Sequence, residues 1–82
     1  METEKRVIET VTDVLELGDR GAELTSASGL FGALPELDSL GVLELIANLE
    51  EEFGIEFGSD DITDETFGTV GSLTSYIDSV RR

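Results

Sequence analysis

The chain has 82 residues, 39% of them hydrophobic, which is enough for one small core and not for two. Nineteen acidic residues against five basic ones give a formal net charge of −14, with no histidine and no cysteine. This balance disfavours nucleic acid as a partner, because displacing phosphate counterions needs Lys and Arg. It also excludes disulfides, thiolate metal sites and any serine–histidine pair.

Residues 1–6 are polar and run directly into an amphipathic pattern, with no apolar block resembling a signal peptide or membrane span. A single cytoplasmic domain over 1–82, without membrane insertion, is expected. Val7, Ile8, Val11, Val14 and Leu15 recur at helical spacing with Glu9, Thr12, Asp13 and Glu16 opposite, which predicts a first helix over 4–17. Gly18 is its expected stop.

From 18 to 38 glycine and serine rise and periodicity fades. Leu24, Leu30, Phe31, Leu34 and Leu37 are nevertheless too apolar to stay in water, so this long loop is expected to pack on the core, with Ser28 capping a short turn that presents Leu30, Phe31 and Leu34. Pro35 favours an extended backbone at Leu34 and stiffens the approach to the next helix.

The second helix is predicted over 39–53. Val42, Leu45, Ile46, Leu49 and Phe53 face inward, while Leu40, Glu44, Ala47 and Glu51 share another side whose apolar centre and charged rim suit a partner protein. Glu50, Glu51 and Glu52 crowd its C-terminal end, where the helix dipole disfavours negative charge. Gly54 ends the helix, and Ile55 and Phe57 mark a packed extended link. Residues 63–67 read as a capped single turn closed by Gly68. Thr69 then caps a last helix with Val70, Leu73, Ile77 and Val80 inward, Tyr76 beside them, and Arg81 and Arg82 at its C-terminus. The expected fold is all-α: a small four-helix bundle of three main helices and one short one, with a long first loop.

Catalytic chemistry has little to work with. Serine without an adjacent base is a poor nucleophile, and an acid/base carboxylate pair needs a pocket that so small a domain hardly offers. Metal binding is not expected either, since the run from Asp60 puts Ile62, Thr66 and Phe67 where a calcium loop fails. Ser39 stands at a loop-to-helix junction, and Asp38-Ser39 taken alone reads as a helix cap.

The surrounding residues add to that reading. Leu37-Asp38-Ser39-Leu40, Leu43-Glu44-Leu45, Leu49-Glu50-Glu51-Glu52-Phe53-Gly54-Ile55, Asp61-Ile62-Thr63 and Phe67-Gly68-Thr69-Val70-Gly71-Ser72-Leu73 together closely resemble the acyl carrier protein family over residues 4–80. The resemblance implies a non-enzymatic carrier in which a phosphopantetheinyl transferase esterifies Ser39 with 4′-phosphopantetheine from coenzyme A, assisted by Asp38. The missing cysteine is consistent with a thiol supplied by the arm. Leu40, Glu44, Ala47 and Glu51 fall on the face by which similar proteins meet basic patches on acyl-activating or acyl-transfer enzymes of fatty-acid, lipid or other biosynthesis. Ile46, Ile62 and Tyr76 are candidate acyl-pocket residues, with plain core as their other role. Such a carrier is a monomer.

Gly41 departs from the family pattern, where an acidic or polar residue is usual. The run from Phe31 to Ser39 also looks like specialised bacterial carriers of exopolysaccharide and exosortase systems. Two other readings remain open at this point: an aminoacyl or peptidyl carrier using the same serine, and an acidic protein-binding adaptor in which Ser39 only helps to start a helix.

Overall fold

The computed structural model describes residues 2–31, 33–34 and 37–81, with the side chain of Ser39 outside that set. Three α-helices, α1 (Glu2–Val14), α2 (Ser39–Phe53) and α3 (Val70–Val80), pack around one core, and no strand occurs among the described residues. A single helical turn at 63–67 supplies the short fourth element: Phe67 N–H donates to the Thr63 carbonyl at 3.0 Å, and Thr66 N–H to Thr63 Oγ1 at 3.1 Å. Two 3-10 segments, Gly18–Glu23 and Ser59–Asp61, lie where the sequence shows no periodicity.

The predicted stripes of α1 and α2 face the core. Val7, Val11, Leu45 and Leu49 are wholly buried, as are Val70, Leu73 and Ile77 of α3. Ile55 and Phe57 are buried in the extended link, as expected. Val80, expected inward, is 42% exposed; at this end of α3 it is Arg81 that lies over the Phe53 ring. Thr74 takes an inward position that the pattern did not assign: it is buried, and its hydroxyl has no hydrogen-bond partner. An unpaired buried hydroxyl costs more than a methyl of the same shape. Thr74→Val is therefore expected to raise stability by about 1 kcal/mol. Urea denaturation checks this, and a lowered midpoint would mean the hydroxyl has a partner.

Two helix ends are built alike from different residues. At the end of α2, Gly54 adopts φ 66° and Ile55 N–H reaches back to the Glu50 carbonyl. At the end of α1 the left-handed residue that closes the helix is Glu16, with φ 53°; the predicted stop, Gly18, is left-handed as well, with φ 58°, but lies two residues further on, at the start of the 3-10 segment. Glu16 N–H donates to Asp13 and Leu17 N–H to Thr12, the paired return bonds of a Schellman close, while Leu17 is buried beneath it. A side chain in this conformation is strained by roughly 1–2 kcal/mol. Glu16→Gly should consequently gain up to about 1 kcal/mol after its larger unfolded-state entropy is counted, read as a higher melting temperature.

The long first loop packs down as expected, though not by the predicted cap. Leu30 is buried, and Phe31 and Leu34 pack against the core. Ser28 Oγ accepts from Thr25 N–H at 2.9 Å, closing an earlier turn instead of the one that carries Leu30. Order in the loop comes from its backbone. Leu30 and Phe31 donate to the carbonyls of Gly68 and Phe67, while the Ser28 and Ser26 carbonyls accept from Val70 and Gly71. The last two are first-turn amides of α3, which no helical carbonyl can reach, and Thr69 Oγ1 takes the third, from Ser72, at 3.0 Å. The loop is thus the cap of α3. The expectation placed on Pro35 lies outside the described residues.

The three helices are tied together at the end away from Ser39. Arg6 of α1 donates through Nη2 to both Oε2 and the main-chain carbonyl of Glu52, at 2.7 and 2.9 Å. Its guanidinium also lies over the Phe53 ring, as does that of Arg81, at 4.6 and 5.1 Å from the centroid. Thr3 Oγ1 donates to Asp78 Oδ1 at 2.8 Å. Glu50 Oε2 accepts from Phe57 N–H at 2.8 Å, fixing the link that leaves α2. Two of the three glutamates at the dipole-disfavoured end of α2 therefore have partners within the fold.

Candidate functional site

Asp38, not Ser39, caps α2. With φ −93° and ψ −172° it sits just outside the helix, and its Oδ1 accepts from Gly41 N–H at 2.8 Å while its carbonyl accepts from Val42 N–H. Ser39 is consequently the first helical residue, beside the amides of the opening turn and at the positive end of the helix dipole. Asp38 and Leu40 on either side are exposed, Leu40 by 66%. The backbone position of Ser39 suits a phosphodiester: amide donors and a favourable dipole are at hand, and the neighbours leave the junction open to a large partner.

The predicted partner face is exposed throughout, with Leu40, Glu44, Ala47 and Glu51 all at the surface. Leu43 belongs with them and is 65% exposed. It follows Leu40 by three residues and precedes Ala47 by four, so extending the second stripe by helical spacing would have found it. Two large aliphatic side chains this exposed on a single helix mark a surface that excludes water only when something covers it. Gly41 is buried. Its missing side chain therefore does not open the surface to a partner.

The three candidate pocket residues differ in setting. Ile46 is buried in the core, Tyr76 is half-buried, and Ile62 is 37% exposed. Two open grooves on the described surface do not include them: one runs between α1 and 18–24 past Glu4, Ile8, Thr12 and Leu24, the other past Leu17, Ser28 and Leu34. Tyr76 stacks on Phe57 at 5.0 Å, and its hydroxyl donates to Asp61 Oδ2 at 3.0 Å, joining α3 to the 3-10 segment at 59–61.

Burial, and then the Asp61 carboxylate as acceptor and as charge, push the Tyr76 phenol above its usual value of 10. The folded state thus favours the neutral phenol. Its contribution is complete below the unfolded value near 10 and is lost as pH rises through the higher folded one. Tyr76 is the single tyrosine, so phenolate absorbance reads it directly. Titration should give a midpoint above 10, and Tyr76→Phe should melt with a weaker alkaline decline than the parent.

Among the described residues no three or more Asp, Glu, His or Cys come together as a metal site, and no helix is long and apolar enough to cross a membrane.

Known proteins agree with this geometry. The family model for a phosphopantetheine attachment site matches residues 5–77. The acyl carrier protein of Zymomonas mobilis is 49% identical over 41 residues, a match spanning half of each chain. The solution structure of a holo acyl carrier protein from Nitrosomonas europaea superposes with a TM-score of 0.89 at 40% identity, covering 96% of this chain and 95% of that one. With most of its length inside the family model and nearly all of it superposable on a carrier, the chain belongs to the acyl carrier protein family of phosphopantetheine-attachment domains.

Proposed function

We propose that Ser39 is the residue esterified by 4′-phosphopantetheine, and that the chain is one cytoplasmic carrier domain over 1–82, working as a monomer and without catalysis of its own. The arm supplies the thiol that holds an acyl group as a thioester, a group this cysteine-free chain lacks. Asp38 fixes the start of α2 and presents its exposed carboxylate beside the reacting serine, where it assists the transferase. The opening amides of α2 neutralise part of the phosphodiester charge. Leu40 and Leu43, rimmed by Glu44 and Glu51 and continued by Ala47, form the face that docks on basic patches of the phosphopantetheinyl transferase and of acyl-activating or acyl-transfer enzymes. Ile46, Ile62 and Tyr76 border the path by which cargo would enter between the helices.

The observation that carries this reading is the position of Ser39: first residue of α2, directly after the capping Asp38 and beside an exposed leucine pair. The test uses the arm-bearing protein with acyl-activating and aminoacyl-activating enzymes in parallel. A hydroxylamine-labile acyl adduct supports acyl carriage. An adduct formed only with amino acids would overturn it in favour of an aminoacyl carrier.

A further inference from the structure

Two open grooves meet on the face formed by α1 and the first loop, and Leu24 lines both. The smaller, of about 290 Å³, has Leu17, Leu24 and Leu34 as its apolar surface, with Arg20, Glu23 and Ser28 supplying polar groups. The larger, of about 790 Å³, continues past Thr12 and Ala22 to Ile8. Its floor is drawn tight by Gly21, where a side-chain carbon would collide with Thr12. Apolar walls with a few polar groups, at such volumes, suit a small flexible ligand. Neither groove is lined by the exposed leucines of α2, and neither includes Ile46, Ile62 or Tyr76.

The smaller groove lies within reach of Ser39. Leu37 N–H donates to the Leu34 carbonyl at 3.0 Å, and the two residues from Leu37 to Ser39 span at most about 7 Å. The Leu34 carbonyl is therefore no more than about 10 Å from the start of α2. A phosphopantetheine arm has about thirteen bonds from phosphorus to sulfur, and at the ~3.5 Å that an extended chain covers in three bonds it spans about 15 Å. Such an arm brings its sulfur across the smaller groove. Arg6 near the start of α1 pairs with Glu52 near the end of α2, so α1 runs from the far end of α2 toward Ser39. From Thr12 to Ile8 the larger groove thus leads away from Ser39, by about 6 Å at 1.5 Å per residue.

We propose that these grooves are a second seat for the loaded arm, outside the helices. The pantetheine part lies against Leu17, Leu24 and Leu34, where its methyls meet the leucines and its amides meet the polar groups beside them. The first methylenes of the acyl chain lie along Thr12 and Ile8. The ligand is a thioester of a short unbranched fatty acid, because a seat open to water has apolar wall for only a few methylenes. The proposal rests on the carrier reading of Ser39, and its readout is the position of the cargo.

The experiment uses the full chain labelled with carbon-13 and carrying an unlabelled hexanoyl-phosphopantetheine. Intact mass with fragment mapping first shows the loaded arm on Ser39, which keeps the outcome separate from the carrier reading. Isotope-filtered nuclear Overhauser spectra should then show cross-peaks from arm and cargo protons to the methyls of Leu24, Leu34 and Ile8. Ala22→Trp, at the exposed rim of the larger groove, should remove the Ile8 cross-peaks. It should also speed hydroxylamine cleavage of the thioester about fourfold, the worth of one methylene returned to water. Val80→Ser, at the far end of α3, should change neither. Cross-peaks confined to Ile46, Ile62 and Tyr76, or none to the protein at all, overturn the proposal, as does an Ala22→Trp protein that keeps the parent's cross-peaks and rate. Circular dichroism checks that both variants fold, and the parent's cross-peaks decide without them.

Discussion

Phe67→Ala is expected to cost about 3–5 kcal/mol, the usual range for deleting a buried aromatic ring. Phe67 is wholly buried, stacks on Phe31 at 5.4 Å and meets Phe57 at 5.6 Å. Through Phe57 the contact continues to Tyr76. The ring therefore lies where the first loop, the extended link after α2 and α3 converge. A domain of this length has only about 4–12 kcal/mol in total. The loss should lower the melting temperature by at least about 12 °C and leave little margin at 37 °C. Thermal denaturation followed by far-ultraviolet circular dichroism decides it. A drop under about 5 °C would show that the loop and α3 are held mainly by their backbone hydrogen bonds.

Those backbone bonds also mark the boundary of what can be read from the chain. Helix α2 is legible from residue 39 to 53 because a cap, an apolar period and a terminal glycine each leave a mark in residue type. The 3-10 segment at 18–23 leaves none: Gly21 is needed there because a side-chain carbon would collide with Thr12, which α1 places against it. The order of 25–31 is equally silent, since it depends on amides and carbonyls pairing with 67–71, and every residue type but proline offers those. Glu16 in a glycine-like conformation conceals the end of α1. The crowding of Glu50 and Glu52, puzzling along the chain, is resolved by Arg6 at 46 residues' distance and by Phe57. At the candidate site, the Asp-Ser-Leu motif and the exposed stripe were legible, whereas the division of labour between Asp38 and Ser39 needed the backbone dihedrals.

That division makes Ser39→Ala a clean variant. Asp38 retains its bond to Gly41, and alanine at the first helical position is a better helix former than serine. Stability should therefore change by no more than about 0.5 kcal/mol. Carrier capacity should vanish altogether, because no other hydroxyl in the chain occupies this junction between an aspartate cap and the exposed leucine pair. The variant should still compete with the parent for the transferase, since Leu40, Leu43 and Glu44 are untouched. Loss of competition would mean that the serine contributes to docking and not only to acceptance. An acidic adaptor that uses Ser39 only to begin a helix would show no difference from the parent in any of these assays.

The most direct measurement is intact mass and fragment mapping of the parent chain after incubation with coenzyme A and a broad-specificity phosphopantetheinyl transferase. One phosphopantetheine per chain, located on the fragment that contains Ser39, is the predicted result. No gain in mass, or an arm on any other residue, would contradict the assignment of Ser39 as the acceptor.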